Sequence, residues 1–260
     1  MTLIEIKEYN DKINIHGKYL PYSGWSTISF IDDKHKSPVN LIEAFLKGDP
    51  VMAKYFAALP RNSYHVTIHN LWANGNRLLP HQNRFLEAKY SNDERIRLIE
   101  QSRKKGFWNP DFCMNGLLEK IDMALPKLSS PTELIIGGVY FTGHTLGIWF
   151  SDDSDTSNFD LSRVACINAS EKMEDVQYHM TLAYNYKDVD TAIGLEEVKS
   201  KLQELDKLAG ICVRMSDPFV SYFSNMTMFV PYTRMLHLRC NEQPTDLWPQ
   251  VNSSTCVNIY

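Results

Sequence analysis

Tyr64-His65-Val66-Thr67-Ile68-His69-Asn70-Leu71 alternates polar and apolar residues, and Tyr178-His179-Met180-Thr181-Leu182 repeats the pattern of its first five positions. Both copies read Tyr-His-apolar-Thr-apolar. Successive side chains of a β-strand point to opposite faces, so each His shares a face with the Thr two residues on, and Val66 or Met180 takes the other. Each copy thus presents an imidazole beside a hydroxyl and buries an apolar residue behind them. Tyr64 and Tyr178 fall on the buried side, and Tyr184, six residues after Tyr178, falls there too.

A lone His-x-Thr describes any half-buried polar strand. Two copies, one in each half of the chain, predict two lobes related by a pseudo-twofold axis with their polar faces converging on one cleft.

The flanking sequence is compatible with that plan. Trp25 to Ile31 has strand composition, and residues 39–58 read as two helical pieces broken at Gly48-Asp49-Pro50. Residues 92–105 and 111–124 are amphipathic helix patterns, and 132–142 with 144–150 form a hairpin around Gly143. The polar run Ser151 to Ser157 leads into a helix near 159–172, and 194–208 is the cleanest helical pattern in the chain. Strand-like runs at 211–215, 219–230 and 234–239 follow, then a tail over 241–260 with little periodicity, expected to be irregular. No parallel βαβ series is present. The reading is α+β: two pseudo-symmetric lobes, each an antiparallel sheet with helices outside, forming a central cleft. One domain spans 1–260, its first lobe carrying His65 and its second His179.

Composition narrows the partners. Of 260 residues 43% are hydrophobic, and 27 Lys and Arg against 31 Asp and Glu leave a formal charge of -4. A chain that grips long nucleic acid through many phosphates is usually basic, so any nucleic-acid substrate is expected to be small, or held in a local basic pocket. Five scattered cysteines with no Cys-x-x-Cys pair argue against a disulfide framework and a thiolate zinc site. The charged opening Met1 to Glu8 and the lack of any apolar run near ~20 residues lead us to expect a cytoplasmic monomer with no membrane association.

The two motifs supply chemistry. Histidine, with an ordinary pKa near ~6.5, serves as acid or base at neutral pH. One imidazole takes a proton from an attacking nucleophile, and the other returns one to the leaving oxygen. Thr67 and Thr181 hydrogen-bond the non-bridging phosphate oxygens. No metal or cofactor is required. His69 shares the His65 face in a regular strand, but two histidines without a third ligand make no metal site. His69 and Tyr22 are expected as secondary substrate contacts, and Arg77, Arg84 and Lys18 as solvated charges. Asp152-Asp153-Ser154-Asp155 lacks the glycine and terminal glutamate of a calcium loop.

The paired motifs resemble those of the two-histidine (2H) phosphoesterases, the LigT-like superfamily, whose signature is two His-x-Thr/Ser-x motifs on strands of a two-lobed α+β fold. Gly17-Lys18-Tyr19-Leu20-Pro21-Tyr22-Ser23-Gly24 is similar to the opening of a functionally uncharacterised microbial subgroup. So are Leu59-Pro60 with Ser63-Tyr64-His65, and Phe223 with Asn225-Met226, Phe229 and Pro231; the resemblance runs over residues 17–240. It implies His65 and His179 as acid and base, Thr67 and Thr181 as phosphate ligands, and a 2′,3′-cyclic phosphate, an RNA end or a small cyclic nucleotide as substrate. Other readings stay open: a module that binds a nucleotide without turning it over, an enzyme of another kind such as a nucleotide-end ligase that uses the same residues, or two coincidental strand faces set far apart.

Overall fold

The computed structural model describes residues 8–32, 37–73, 80–97, 114–127, 130–142, 144–173, 177–189 and 192–233. The fold is α+β, as expected, with every strand pairing antiparallel. A small hairpin, β1 (Glu8–Asn10) and β2 (Ile13–Asn14), precedes β3 (Gly24–Phe30). Helices α1 (Ser37–Gly48) and α2 (Pro50–Tyr55) come next, then β4 (Phe56–Ala58) and β5 (His65–Ala73). Two more helices, α3 (Pro80–Lys89) and α4 (Met114–Ala124), lead to β6 (Thr132–Phe141) and β7 (Thr145–Phe150). The chain continues through α5 (Ser157–Ser170), β8 (His179–Asn185) and α6 (Ala192–Leu205), then β9 (Cys212–Met215), β10 (Phe219–Asn225) and β11 (Met228–Pro231).

Nine strands form one sheet in the order β11-β10-β3-β5-β8-β7-β6-β9, with β4 paired to the far end of β8. The β5 side of the sheet takes β10 and β11 from late in the chain, β4 joins the β8 side, and the two motif strands, β5 and β8, are neighbours between them. One buried cluster joins Val66, Met180 and Ile148 to Leu46, Met52, Phe159 and Val198. A second gathers Trp25, Leu71, Trp72 and Val220 with Leu86 of α3, Leu117, Leu118 and Ile121 of α4, and Cys166 of α5.

Local chemistry explains two of the element boundaries. The Gly48-Asp49-Pro50 break is real: the Asp49 carboxylate accepts from Val51 N (2.9 Å) and Met52 N (3.1 Å), capping α2, and Pro50 opens it. Two readings need correction. Residues 56–58 are strand, because their backbone completes the ladder along β8. The run 219–230 is a hairpin, turned at Met226 and Thr227, whose N–H and hydroxyl donate to Asn225 Oδ1 at 2.8 and 2.6 Å. Residues 92–97 are helical; residues 98–105, Arg77, Gly143, the run 234–239 and the tail lie outside the described residues.

Two β-bulges decide which side chains face which way. In β5, Ile28 opposes Thr67 and Thr27 opposes His69, which leaves Ile68 as an extra residue. In β8, Gly147 opposes Thr181 and Leu146 opposes Ala183, which leaves Leu182 as the extra one. Each bulge directly follows the threonine of its motif, so the duplication extends to an irregularity of the backbone. A bulge reverses the facing of everything beyond it.

Candidate active site

Val66 and Met180 are direct partners across the β5–β8 ladder, and both are completely buried. His65, Thr67, His179 and Thr181 consequently lie together on the opposite face, all four half-buried. About the Val66–Met180 pair, His65 stands on the Thr181 side and Thr67 on the His179 side, the twofold arrangement expected from the duplicated motif. Tyr64 and Tyr178 pack into the core, also as expected.

Both imidazoles are held in the same way. His65 Nδ1 lies 2.7 Å from the Ser63 carbonyl oxygen, and His179 Nδ1 lies 2.9 Å from that of Gln177. A carbonyl only accepts, so the hydrogen-bonding network assigns the proton to Nδ1 in each ring and leaves Nε2 to exchange protons. The Ser63 carbonyl is fixed by the single 3-10 turn Arg61–Ser63, where the Ser63 N–H and hydroxyl both donate to Pro60 O at 2.8 and 2.7 Å.

The surroundings of the two rings differ. His65 packs against Phe229, with ring centroids 4.1 Å apart, and against the edge of Phe30 at 6.4 Å. Burial pushes its pKa down to about 4; the Ser63 hydrogen bond opposes the shift, while the charges of His179 and Lys12 add to it. His179 meets Tyr140 edge-on at 6.0 Å and has Trp149 as its cross-strand partner.

Three residues join the site that sequence reasoning missed. Lys12, in the β1–β2 turn, places Nζ 3.4 Å from the Tyr184 hydroxyl and 5.0 and 5.2 Å from the ring centres of Tyr22 and Tyr184. The Thr181 hydroxyl lies near both Tyr140 and Tyr184 and opposes the upward push of burial on each phenol. Tyr140, Gly147 and Thr181 stand in line across β6, β7 and β8. A Cβ at Gly147 would lie 2.5 Å from Cζ and Oη of Tyr140, so only glycine lets that ring cross the strand toward Thr181. A mid-strand glycine was the available signal for Tyr140. Nothing in the local sequence marked Lys12.

Tyr22 is half-buried, stacked on Phe223 with centroids 6.2 Å apart, and lies beside Lys12 at the edge of this group. His69 is a correction. The Ile68 bulge turns it to the reverse face, where it is fully buried with Nε2 3.2 Å from Ser170 Oγ of α5, out of a substrate's reach. Tyr184 is the converse: expected on the reverse face, it is brought by the Leu182 bulge to the same side as Thr181. The Ile68 carbonyl accepts from Arg163 Nε at 2.9 Å, and that guanidinium lies over Tyr178, 4.0 Å from the ring centre. Arg84 pairs at the surface with Glu171. Among the described residues no three His, Cys, Asp or Glu side chains gather as a metal site, and no helix is long and apolar enough to cross a membrane.

No family model matches the sequence. The chain is 25% identical over 209 residues to "Uncharacterized protein 127L" of Invertebrate iridescent virus 6, covering 77% of this chain and 83% of that protein. In structure it is similar to ATU0111, a conserved protein of unknown function from Agrobacterium tumefaciens, with a TM-score of 0.61 and 18% identity over 85% of this chain and 89% of that one. That likeness concerns the fold. A more distant one, with a TM-score of 0.36 and 10% identity, is to Kluyveromyces marxianus Usb1, over 81% of this chain and 98% of that one; one of its structures contains uridine monophosphate.

Proposed function

We propose that the protein is a phosphodiesterase that opens a cyclic phosphodiester, the 2′,3′-cyclic phosphate of a nucleotide or RNA end or a small cyclic nucleotide, by paired-histidine acid–base catalysis. One observation carries the reading: two His-x-Thr strands lie side by side about a local twofold axis, each imidazole tied through Nδ1 to the carbonyl two residues before it. That geometry supplies two proton-exchanging Nε2 atoms and two hydroxyls on one face.

The difference in surroundings divides the labour. His65 is unprotonated at neutral pH and acts as base. Water attacks phosphorus as its proton passes to His65 Nε2, and the bond to the leaving oxygen breaks as His179, which enters the step as the imidazolium with both nitrogens protonated, donates its Nε2 proton to that oxygen; the cycle closes when the proton gained by His65 returns to His179. Thr67, Thr181 and the Lys12 ammonium stabilise the non-bridging oxygens. An anion against the His65 ring favours its protonated form, so substrate binding raises its basicity where the base is needed. The protons account for each other without a metal ion.

The test is turnover of a nucleoside 2′,3′-cyclic phosphate, in excess chelator, by the wild type and by His65→Ala and His179→Ala. Activity in the wild type and its loss in both folded variants is the expected result. Wild-type rates in either variant overturn the mechanism; tight binding without turnover identifies a binding module instead.

A further inference from the structure

Trp149 is the only aromatic among the exposed large hydrophobic side chains of the described residues, with 39% of its surface accessible. The reason lies beneath it. A Cβ on Gly137 would overlap Cζ3, Cε3 and Cη2 of the indole, and one on Gly138 would stand 3.0 Å from Nε1. The six-membered ring thus lies on Gly137 and the pyrrole edge on Gly138, one face flat against the backbone of β6. The register of β6 against β7 shifts between Ile136 and Gly138, making Gly137 a bulge residue and bringing both glycines under the ring. Two glycines in mid-strand weaken a strand relative to alanine. Here they build a seat for a large ring whose exposed surface belongs to its other face and edge.

The position of that face matters. Trp149 is the direct cross-strand partner of His179, so the two side chains point the same way with Cβ atoms about 5 Å apart. A flat, preorganised aromatic face next to a proton-donating imidazole fits a planar heterocycle attached to the group being cleaved. We propose that Trp149 is the stacking platform for the nucleobase of the substrate, with the nucleoside on the His179 side and the phosphate between His179 and His65. The substrate class is then a nucleoside cyclic phosphate rather than a baseless cyclic diester. Because an aromatic face accepts any base, the platform selects for the presence of a base over its identity. The place given to the phosphate rests on the phosphodiesterase reading; the stack does not.

The wild type, Trp149→Ala and Trp149→Phe are assayed on adenosine 2′,3′-cyclic phosphate and on glycerol 1,2-cyclic phosphate, which has no base. Trp149→Ala should raise KM for the adenosine substrate roughly 5- to 150-fold, the range of a lost base–aromatic stack, with little change in kcat or in the constants for the glycerol substrate. Trp149→Phe, which keeps a smaller ring, should fall between. No effect on the adenosine substrate, or equal effects on both, overturns the platform while leaving the diesterase intact. A second arm needs no turnover: adenosine 2′-monophosphate is titrated into the wild type and Trp149→Phe, and the difference in tryptophan fluorescence is followed. Saturable quenching only in the wild type supports the platform and stands apart from any failure of catalysis. Identical titration curves overturn it.

Discussion

Val66 and Met180 touch as direct antiparallel partners, and neither exposes any surface. An antiparallel pair has a twofold axis between its strands, so this contact behind the sheet also relates His65 to His179 and Thr67 to Thr181 in front of it. The symmetry of the site comes from the packing of two apolar side chains. The acid–base chemistry proposed for that face leads to measurable expectations.

His65→Ala and His179→Ala should each lower turnover of a cyclic phosphate by roughly 10²–10⁴-fold, the usual worth of a positioned acid or base. The double variant should cost far less than the product of the single effects, since the two rings act on one proton circuit. Thr67→Val and Thr181→Val each remove one hydrogen bond to a charged oxygen, about 1.5–3 kcal/mol or one to two decades in rate. Steady-state kinetics on the five variants, with thermal melts alongside, checks the ranking.

The His65 pKa, pushed down to about 4 by burial, has two readouts. The acidic limb of kcat/KM, which reports the free enzyme, should fall well below the ordinary histidine range, and the limb of kcat should lie higher because bound phosphate favours protonation. The folded value lies below the unfolded value of ~6.5, so the native state is at its full stability above ~6.5 and loses on the order of 1–3 kcal/mol as pH falls toward 4. Urea unfolding between pH 7 and 4 should show that loss reduced in His65→Gln.

Lys12 opposes protonation of His65 and sits against Tyr184 and Tyr22. Replacing it as Lys12→Met should move the acidic limb of kcat/KM toward neutral pH and weaken the salt dependence of KM. A lower rate with an unmoved pH profile would show that Lys12 only supports the hairpin.

Gly147→Ala places a methyl group 2.5 Å from the Tyr140 ring and 2.6 Å from the Met180 carbonyl oxygen. The expected cost is about 1–3 kcal/mol from overpacking, read from denaturant midpoints. Tyr140→Phe keeps the ring but deletes the hydroxyl beside Thr181, so it should lower kcat by roughly tenfold or less without that loss of stability.

The motif strands, the helix read at 194–208 and the hairpin read at 132–150 were legible because each depends on its own periodicity. The placement of His69 and Tyr184 was not. Strand alternation puts His69 beside His65, and only the ladder to β3 shows that Ile68 is an extra residue; the same holds for Leu182 and the ladder to β7. A bulge is a property of two strands together, and one strand's sequence does not contain it. Lys12 was hidden for a related reason. A lysine in a turn is usually solvated, and only the return of the chain over Tyr22 and Tyr184 gives this one a role. The end of α2 after Tyr55 and the turn at Thr227 were missed because small or β-prone residues continue smoothly through both.

Each imidazole is oriented by a peptide carbonyl, and that choice carries a consequence for release. A carboxylate in the same place would fix the tautomer equally well, but it would add negative charge beside an anionic ligand. A carbonyl fixes the ring and adds none, leaving the Lys12 ammonium and the shared imidazole proton as the counter-ions on this face. A cyclic diester arrives as a monoanion, whereas the opened monoester approaches a dianion at neutral pH. On the phosphodiesterase proposal the same cations would attract what is made more strongly than what is consumed, so added salt is expected to hasten departure of the product.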